Sequence, residues 1–538
     1  MLLLQPGRDW VLTFHETLFA EPAREFIQTG DWLIPRMGGV ATWDKPPLLH
    51  WAIALCMTVF HSEAEWVVRL PTIFATLIQA LLIAGLAGRW YGDRIGRLTG
   101  LIQLTSFYVL FQARLAEADM SLCATVTAAM VALAYATVER VDGSKPHWWI
   151  GQAYWFAVAL AFLSKGPIGV AFVGGGSFLF ALWRTSWPVW RFFLNPVGWL
   201  VFAVVGLSWP VMACIIDPTV IDGWRYQNVD RFTGALGGQE HSFFYLYTVP
   251  LIALPWTPFA ILGFGVARNE QSGPRRDLSR LLLCWFAAGM ILVNMSAWKH
   301  KHYAIPVMPP LAIFAALGLS RYLDKLSLRG QHPLRMLAIA FVIGGIIATG
   351  LGHHQGWPKV ASAAPLLIVA GMGLGLSNWL AHRTQPDRAL SAAFGTIWAV
   401  VTLAEATVMP AYDLYQPRVE LARRANAVIP KGAPVYLMEL PDGQITYYIR
   451  LPIRCVEWHE LAHDLAEKPR PGESVYVVGP RKLLPHLARF GAAQVVDECS
   501  SKHRAPGPED RLSLIEIKPQ ANLARLALLA TPKEAVVR

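Results

Sequence analysis

Residues 14–51, FHETLFAEPAREFIQTGDWLIPRMGGVATWDKPPLLHW, place charged groups directly beside a first apolar segment. His15 and Glu16 are adjacent, and a DKPP turn occupies residues 44–47. Within this stretch, TLFAEPAREFIQ spaces its apolar residues mostly three or four apart, which predicts a short helix lying on a membrane surface. The alternative is a solvated loop whose charges only keep it out of the bilayer. The stretch is the first candidate for a site beside a membrane.

The composition is that of a polytopic helical membrane protein. Of 538 residues, 54% are hydrophobic and only 16% are charged, and the mean hydropathy is +0.37. A soluble chain carries charge on about a quarter of its residues. Apolar runs of roughly twenty residues, each long enough to cross the hydrocarbon core, recur from Leu70 to Met409. The formal charge of +10 does not indicate nucleic-acid binding, because much of it lies in short loops, where it sets membrane topology.

The charge of the loops predicts which side each one faces. Loops rich in Lys and Arg are assigned to the cytoplasm, so the opening stretch, the 216–243 loop and WKHKHY at 298–303 face outward. Residues 47–62 are short for a crossing and are predicted to be re-entrant or interfacial. The first fourteen residues are too short and too polar to span. Either the chain starts on the outer face or a further helix lies upstream, and we expect the second. The sequence predicts about 12–13 transmembrane helices, of which twelve are 70–90, 97–113, 120–138, 148–164, 167–183, 195–215, 244–267, 278–296, 303–320, 335–353, 362–382 and 389–408.

Residues 412–538 are predicted to form a small extracytoplasmic α/β domain, because twelve spans that start outside also end outside. APVYLMEL, ITYYIRLPI, ESVYVVG, AQVVDE and LSLIEIK are typical of strands, and HELAHDLAE and PRKLLPHLARF of helices. Whether Cys455 and Cys499 form a disulfide there stays open. The predicted division is an N-terminal stub and outer catalytic loop with interfacial helices (1–69), a transmembrane domain (70–411) and the C-terminal domain (412–538).

Ionisable residues beside the spans gather on the predicted outer face. Each one is costly next to a membrane and so indicates a function, although the alternative for any single residue is an interfacial anchor. Lys and Arg hold phosphate, a carboxylate accepts a proton, and carboxylate and imidazole bind divalent cations. A lipid-phosphate donor suits this combination, since its tail can occupy the bilayer, and the predicted reaction is glycosyl transfer. The residues are Glu16, Asp44, Arg114, Glu117, Asp119, Lys165, Arg231, His241, Lys299, His300, Lys301 and His302.

The opening stretch resembles the first outer loop of the GT-C glycosyltransferases, a family that includes protein O-mannosyltransferases and the aminoarabinose lipid A transferase. RLPTIFATL, ARLAEADMSL, FLSKGPIGV, NVDRFTG and KHKHYAIPVMPPLA are similar to later segments of the family, in the family order. The resemblance covers about residues 15–320. The C-terminal domain resembles the family's periplasmic domain only in position and kind. A GT-C fold with a polyprenyl-phosphate-linked sugar as donor is what the resemblance implies.

The resemblance also implies roles for individual residues. His15 stands where the family has a catalytic Asp, so either His15 is the base, Glu16 supplies the carboxylate, or the activity differs. Asp44 replaces a metal-coordinating Glu, with His50 as the second candidate ligand of one divalent ion. The predicted catalytic residues are His15, Glu16 and Asp119, and the predicted donor-phosphate ligands are Lys45, Lys165, Arg231, Lys299 and Lys301.

Only one of the two adjacent residues at positions 15 and 16 is expected to enter the cavity. In an extended segment, neighbouring side chains point in opposite directions. We therefore expect His15 to face the cavity and Glu16 to be structural, with Asp119 as the fallback carboxylate.

The sequence thus predicts an integral-membrane glycosyltransferase. It moves a sugar from an undecaprenyl-phosphate type of donor to an extracytoplasmic lipid, glycan or protein, with membrane lipids but no nucleic acid as further partners. The predicted location is the bacterial inner membrane, with the active site and the C-terminal domain on the periplasmic side. The alternatives are a transporter or flippase for lipid-linked substrates and a catalytically lapsed relative. Against a transporter, the unusual charges lie at one face and the sequence shows no matching halves.

Overall fold

The computed structural model describes residues 11–138, 147–184, 190, 192–235, 241, 243–270, 272–326, 332–354, 358–383, 385–407, 417–438, 442–467, 473–499 and 511–520. These residues form two compact units, each of which is described by itself. The first consists of the described residues within Trp43–Ala52 and Trp66–Tyr412. The second consists of those within Asp9–Thr42, Ile53–Glu65 and Asp413–Arg538.

Helices make up most of the described chain before residue 408. A hairpin of β1 (Arg36–Met37) and β2 (Val40–Ala41) separates the first two helices, and the turn between its strands has two glycines with positive φ. π-helical turns occur at Phe202–Gly206 and Arg225–Asp230, and a 3-10 segment at Lys301–Val307. The α-helices are α1 (Phe14–Thr29), α2 (Leu48–Phe60), α3 (Glu65–Tyr91), α4 (Asp93–Thr105), α5 (Phe107–Gln112), α6 (Ala118–Thr137), α7 (Trp149–Lys165), α8 (Pro167–Arg184), α9 (Pro196–Val201), α10 (Ser208–Ile216), α11 (Val220–Trp224), α12 (Arg231–Thr233), α13 (Phe244–Ile252), α14 (Thr257–Arg268), α15 (Gly273–Met295), α16 (Met308–Leu326), α17 (His332–His354), α18 (Pro358–His382) and α19 (Pro386–Thr407).

The protein is a multi-pass membrane protein. Within the described ranges, six helical segments are long and apolar enough to cross a membrane: α3, α6, α8, α15, Lys301–Leu323 and Ala364–His382. Two more crossings are counted if each bent pair is one span, namely Pro196–Gly206 with α10, bent by 43°, and α13 with α14, bent by 105°. The larger number of about 12–13 stays a prediction. α2 has 13 residues, about 20 Å of helix, which is too short to cross and agrees with the prediction for residues 47–62.

Glycines permit close contact between two helices of the first unit. A Cβ atom at Gly263 of α14 would lie 1.7 Å from the carbonyl oxygen of Phe314 in α16. In return, a Cβ atom at Gly318 of α16 would lie 1.9 Å from the carbonyl oxygen of Phe259. Membrane helices pack closely through such small residues, because lipid provides no hydrophobic drive for their association. Any larger residue at either position would push the two helices apart.

α8 and α15 run antiparallel within the first unit. Near one end, a Cβ atom at Gly289 of α15 would lie 3.4 Å from the ring of Phe172 in α8. At the other end, Arg184 of α8 forms an ion pair of 3.2 Å with Asp277 of α15. The two helices therefore connect opposite ends of the transmembrane bundle, and each end carries a cavity.

A five-stranded mixed sheet is the centre of the second unit. The strand order is β4-β3-β5-β7-β6, with parallel pairing among the first three strands and antiparallel pairing of β7 with β5 and β6. The central strand β5 is buried along its whole length, as expected for a strand covered on both faces. The elements are β3 (Val435–Met438), β4 (Ile453–Val456), β5 (Val475–Pro480), β6 (Gly491–Glu498), β7 (Leu512–Pro519), α20 (Pro417–Val428), α21 (Gly443–Tyr448), α22 (Trp458–Glu467), α23 (Leu484–Leu487) and a 3-10 turn at Arg481–Leu483.

One strand prediction in this unit is wrong in its first half. ITYYIRLPI contains the end of helix α21, and strand β4 begins only at Ile453. The helix forms because the Asp442 side chain accepts hydrogen bonds from the backbone N–H groups of Gln444 and Ile445, at 3.0 and 3.2 Å. This N-cap outweighs the strand propensity of the two tyrosines and the isoleucines. The other four predicted strands and the two predicted helices are present, the second of these as a short 3-10 and α-helical turn.

Cys455 and Cys499 are both free thiols. Cys455 lies on β4 and Cys499 follows β6, and these strands are the two opposite edges of the sheet. Four strand spacings separate the edges, about 19 Å, whereas a disulfide requires Cα atoms within about 7 Å. The open question about this pair is thus settled against a bond. The division at residues 69 and 411 stays a prediction.

Candidate functional site

A cavity of about 190 Å³ lies within the first unit. Its lining contains five charged residues, and all five were singled out from the sequence: Asp44, Lys45, Asp119, Lys165 and Arg231. The structure therefore brings together residues that lie far apart along the chain. The roles given to them stay predictions. The remaining wall is mostly aromatic and aliphatic, including Pro46, Leu122, Phe162, Phe172, Trp209, Trp224, Leu292, Val293, Trp298 and Tyr303.

An ion pair joins two helix ends at this cavity. Asp119 lies in the first turn of α6, and Lys165 lies in the last turn of α7. These are the positions at which the helix dipoles favour an acid and a base, respectively. Lys165 Nζ donates to Asp119 Oδ1 at 2.6 Å and lies 4.9 Å from the ring centroid of Tyr303. α7 ends here because Gly166 adopts a φ of 71°, which glycine permits. The charge of Lys165 is therefore balanced within the protein.

The positive charge of Lys45 is only partly balanced by the described residues around it. Its Nζ donates one long hydrogen bond, 3.4 Å, to Gln227 Oε1. Burial, followed by the charges of Lys165 and Arg231, lowers the pKa of the Lys45 ammonium to about 8, and Asp44 only partly opposes this shift. A bound anion would supply the missing counter-charge. The role of Lys45 as a phosphate ligand stays a prediction.

Arg231 is another cation of the cavity, and it forms no ion pair with the residues that the structure describes. Its guanidinium lies 5.7 Å from the ring of Tyr226 and 5.3 Å from that of Trp298. Its Nε is buried, and this N–H has no hydrogen-bond partner in the part of the chain that the structure describes. A buried donor without an acceptor is costly, and a phosphate oxygen would satisfy it with a charge-assisted bond.

A hydrogen-bonded clamp holds the segment that carries Lys45. Trp43 Nε1 donates to Asp217 Oδ2 at 3.0 Å, and Trp224 Nε1 donates to the Trp43 carbonyl oxygen at 2.8 Å. The Trp209 ring packs between the other two indoles, 6.1 Å from Trp43 and 5.8 Å from Trp224. Sequence reasoning missed these contacts, because nothing in the chain indicates which indole reaches which distant loop. The clamp fixes Lys45 relative to the 217–231 segment.

Two further predicted phosphate ligands lie outside the cavity lining. Lys299 is 8% exposed, and its Nζ donates to the Ser296 carbonyl oxygen at 2.6 Å. Lys301 is exposed at the start of a 3-10 segment. Neither is among the described residues that line the cavity. Their proposed contacts with phosphate stay predictions.

His15 and Glu16 belong to the second unit. The premise of an extended segment here is wrong, because α1 begins at Phe14 and the two residues occupy its first turn. Glu16 is fully buried and completes a capping box: its Oε2 accepts from Thr13 N at 2.9 Å, and its own N donates to Thr13 Oγ1 at 3.2 Å. This contact gives Glu16 a structural task. His15 is exposed, and its catalytic role stays a prediction.

The predicted divalent ion has few ligands in this structure. Asp44 is exposed at the cavity, and His50 is buried in α2. Across the described ranges, no group of three or more His, Cys, Asp or Glu residues is placed to hold a metal. The donors among these described residues do not fit a metal site. The ion stays a prediction.

Comparisons with known proteins point to the same region. A family model described as dolichyl-phosphate-mannose-protein mannosyltransferase matches residues 44–212. The undecaprenyl phosphate-alpha-4-amino-4-deoxy-L-arabinose arabinosyl transferase of Pectobacterium carotovorum is 24% identical over 454 residues, which cover 83% of this chain and 74% of that protein. The corresponding transferase 2 of Proteus mirabilis is 27% identical over 310 residues, 56% of this chain and 54% of that relative.

A solved structure shows the fold. ArnT from Cupriavidus metallidurans, crystallised with undecaprenyl phosphate, has a TM-score of 0.76 and 19% identity, and the match covers 94% of each chain. The fold is therefore GT-C, and the predicted fold class, a helical multi-pass membrane protein with a small C-terminal α/β region, is confirmed. The resemblance to GT-C glycosyltransferases and the prediction of a glycosyltransferase are confirmed as well. Within that class, this chain is similar to proteins named as arabinosyl transferases.

Proposed function

We propose that this protein transfers a sugar from an undecaprenyl-phosphate type of donor to an extracytoplasmic lipid, glycan or protein. The proposal places the cavity on the periplasmic side of a bacterial inner membrane. It is supported by the charge of the predicted loops and by the bacterial relatives, which are named for this donor class. The sugar named for those relatives, 4-amino-4-deoxy-L-arabinose, is the first donor to test.

One observation carries the proposal: Lys45 and Arg231, two cations that are incompletely compensated by the described residues, line one largely apolar cavity. Lys45 has a single long hydrogen bond, and the buried Nε of Arg231 has no partner among the described residues. A lipid phosphate matches this arrangement, because two positive groups can bind its oxygens while the aromatic wall accepts the sugar and the start of the prenyl chain. A neutral sugar alone would bring no negative charge to either cation.

The chemistry is one displacement at the anomeric carbon. The acceptor oxygen forms a bond to that carbon, and the bond between the carbon and the donor phosphate oxygen breaks. The electron pair leaves with the phosphate, so undecaprenyl phosphate is the second product. Lys45 and Arg231 stabilise the negative charge that develops on this leaving group. The proton of the acceptor passes to a base.

Two residues are proposed for the base. Asp119 lines the cavity, and Lys165 hydrogen-bonds to its Oδ1. We propose that its other carboxylate oxygen accepts the substrate proton. His15 is the alternative, since it stands at the family position of a catalytic Asp. Lys165 acts on the reaction through Asp119, which it orients by a hydrogen bond of 2.6 Å.

The test is the mass of the product in living cells. Envelope lipids and glycans are compared by mass spectrometry between cells that contain the protein, cells that lack it, and cells with Lys45→Ala, Arg231→Ala, Asp119→Asn or His15→Ala. The control variant is Arg97→Ala, which removes an exposed charge outside the cavity lining. We expect one species, heavier by a single sugar, to be strongly reduced by Lys45→Ala and Arg231→Ala. The control keeps it.

The same comparison decides between the two bases. If Asp119→Asn or His15→Ala retains the full amount of product, the residue replaced in that variant is not the base. Identical lipid and glycan profiles with and without the protein, under conditions in which it is made and inserted, would contradict the proposal.

A further inference from the structure

A second cavity lies at the other end of the α8–α15 helix pair. It has a volume of about 880 Å³ and involves α8, α14 and α15. On α8 the first cavity includes Phe172, whereas the second includes Leu179 and Trp183. On α15, which runs antiparallel to α8, the first cavity includes Leu292 near the end of the helix. The second cavity includes Arg276 near its start. Since both helices are span-length, the two cavities open toward opposite faces of the membrane.

The second cavity combines an apolar wall with a basic rim. Three arginines line it, against one acidic residue, Glu270. Arg268 is exposed and Arg276 is half-buried, and neither has a hydrogen-bond or ion-pair partner in the described part of the chain. The third, Arg280, lies 5.4 Å from the ring of Trp183 and 3.9 Å from a carboxylate oxygen of Asp277. The rim therefore keeps a surplus of positive charge. Its apolar wall is formed by Leu179, Trp183, Phe264, Ala267, Leu283, Phe286 and Ala287.

We infer that this cavity binds the head group of an anionic glycerophospholipid from the leaflet opposite the first cavity. Arg268 and Arg276, whose guanidinium groups have no partner among the described residues, match a phosphodiester and a second phosphate or a glycerol head group. The aromatic and aliphatic wall lies at the depth where acyl chains begin, because Trp183 is in the last turn of a span-length helix. Basic pockets between transmembrane helices bind anionic head groups in this way. This site is separate from the site of sugar transfer. It makes lipid binding by the protein depend on the composition of the surrounding leaflet.

The test is lipid binding to the purified full-length protein in detergent. Native mass spectrometry counts bound dioleoyl-phosphatidylglycerol and dioleoyl-phosphatidylcholine in parallel titrations. We expect the parent to prefer phosphatidylglycerol. The double variant Arg268→Gln/Arg276→Gln is expected to weaken that binding by about five-fold per charge, with phosphatidylcholine binding unchanged.

The matched control is Arg97→Gln/Arg321→Gln, which removes two exposed charges that do not line this cavity. Arg268→Lys/Arg276→Lys keeps both positive charges and is expected to bind phosphatidylglycerol. Loss of binding in this variant as well would indicate misfolding rather than the loss of charge. Equal loss in the cavity and control doubles, or no loss in either, would overturn the inference. So would undecaprenyl phosphate displacing phosphatidylglycerol at lower concentration, because the cavity would then belong to the carrier lipid.

Discussion

Lys165 Nζ lies 2.6 Å from Asp119 Oδ1, and this contact joins the end of α7 to the start of α6. Both side chains are largely shielded from solvent, with 18% and 6% of their surfaces exposed. Breaking a buried pair by removing one partner costs more than the pair contributes, because the other charge is left uncompensated. The pair therefore couples the stability of two helices to the charge of the cavity.

The first prediction separates these two effects. Lys165→Gln leaves Asp119 unpaired and is expected to destabilise the protein by about 3–5 kcal/mol, with loss of transfer. The double variant Asp119→Asn/Lys165→Gln removes both charges and is expected to recover most of the stability but no activity. Thermal unfolding and transfer rate are measured on the same preparations. Recovered activity in the double variant would show that the pair is only structural.

The second prediction concerns the pH dependence of donor binding. The pKa of Lys45 is lowered to about 8, chiefly by burial, so the ammonium loses its proton as the pH rises through that value. Binding of undecaprenyl phosphate is therefore expected to be strong below about pH 8 and to weaken by up to ten-fold for each further unit. The measurement is the Kd between pH 6.5 and 9.5.

Lys45→Arg is the control for this effect. Guanidinium keeps its proton throughout this range, so the variant should bind donor with no decline across pH 8. A decline that persists in Lys45→Arg would assign the titration to another group, such as the phosphate itself.

The third prediction concerns the clamp on the Lys45 segment. Asp217→Ala removes the acceptor of the Trp43 indole N–H and should raise the donor KM by about ten-fold while kcat changes little. Asp217→Asn retains an acceptor oxygen and should restore most of the affinity. Steady-state kinetics with both variants make the comparison. If kcat falls equally in Asp217→Ala and Asp217→Asn, Asp217 takes part in the chemical step and does not act through donor binding.

The fourth prediction concerns the second unit. Buried Arg24 donates to Glu21 Oε1 and to the carbonyl oxygens of Thr446 and Tyr447 at 2.7–2.9 Å. Burial raises the pKa of Glu21 to about 7, although Arg24 opposes the shift. Because the folded-state pKa exceeds the ordinary value, the stability that Glu21 contributes is present at acidic pH and is lost as the pH rises through about 7.

Two variants test this arrangement by thermal unfolding between pH 5 and 8. Glu21→Gln should flatten the pH dependence, since the amide does not ionise. Arg24→Met should cost about 3–5 kcal/mol, because it leaves a buried carboxyl and two carbonyl groups without their donor. A pH dependence that survives Glu21→Gln would assign it to a different carboxyl group.

Composition, loop charge and the family resemblance predict the fold class. Together they select the five charged residues of the cavity, but also Lys299 and Lys301, which do not line it. Charged residues between apolar runs are informative because membrane burial makes them costly. The clamp from Trp43 to Asp217 was not predictable, because an indole N–H carries no pattern that identifies a distant partner. The sequence analysis predicts a helix for TLFAEPAREFIQ but an extended segment at residues 15 and 16, whereas the capping box of Thr13 and Glu16 starts α1 at Phe14. Asp442 likewise turned a strand-like sequence into a helix.

The central claim is that the protein forms a covalent sugar product with its own cavity residues. The most direct test uses detergent micelles, which have no two sides and so cannot report translocation. Purified protein, undecaprenyl-phosphate-linked 4-amino-4-deoxy-L-arabinose and a lipid A acceptor are incubated, and the acceptor mass and released undecaprenyl phosphate are measured together. We predict equimolar sugar-bearing acceptor and undecaprenyl phosphate, reduced at least about ten-fold by Lys45→Ala or Arg231→Ala. Translocation of the donor across proteoliposomes, with no product from any lipid, glycan or protein acceptor in micelles, would contradict the claim.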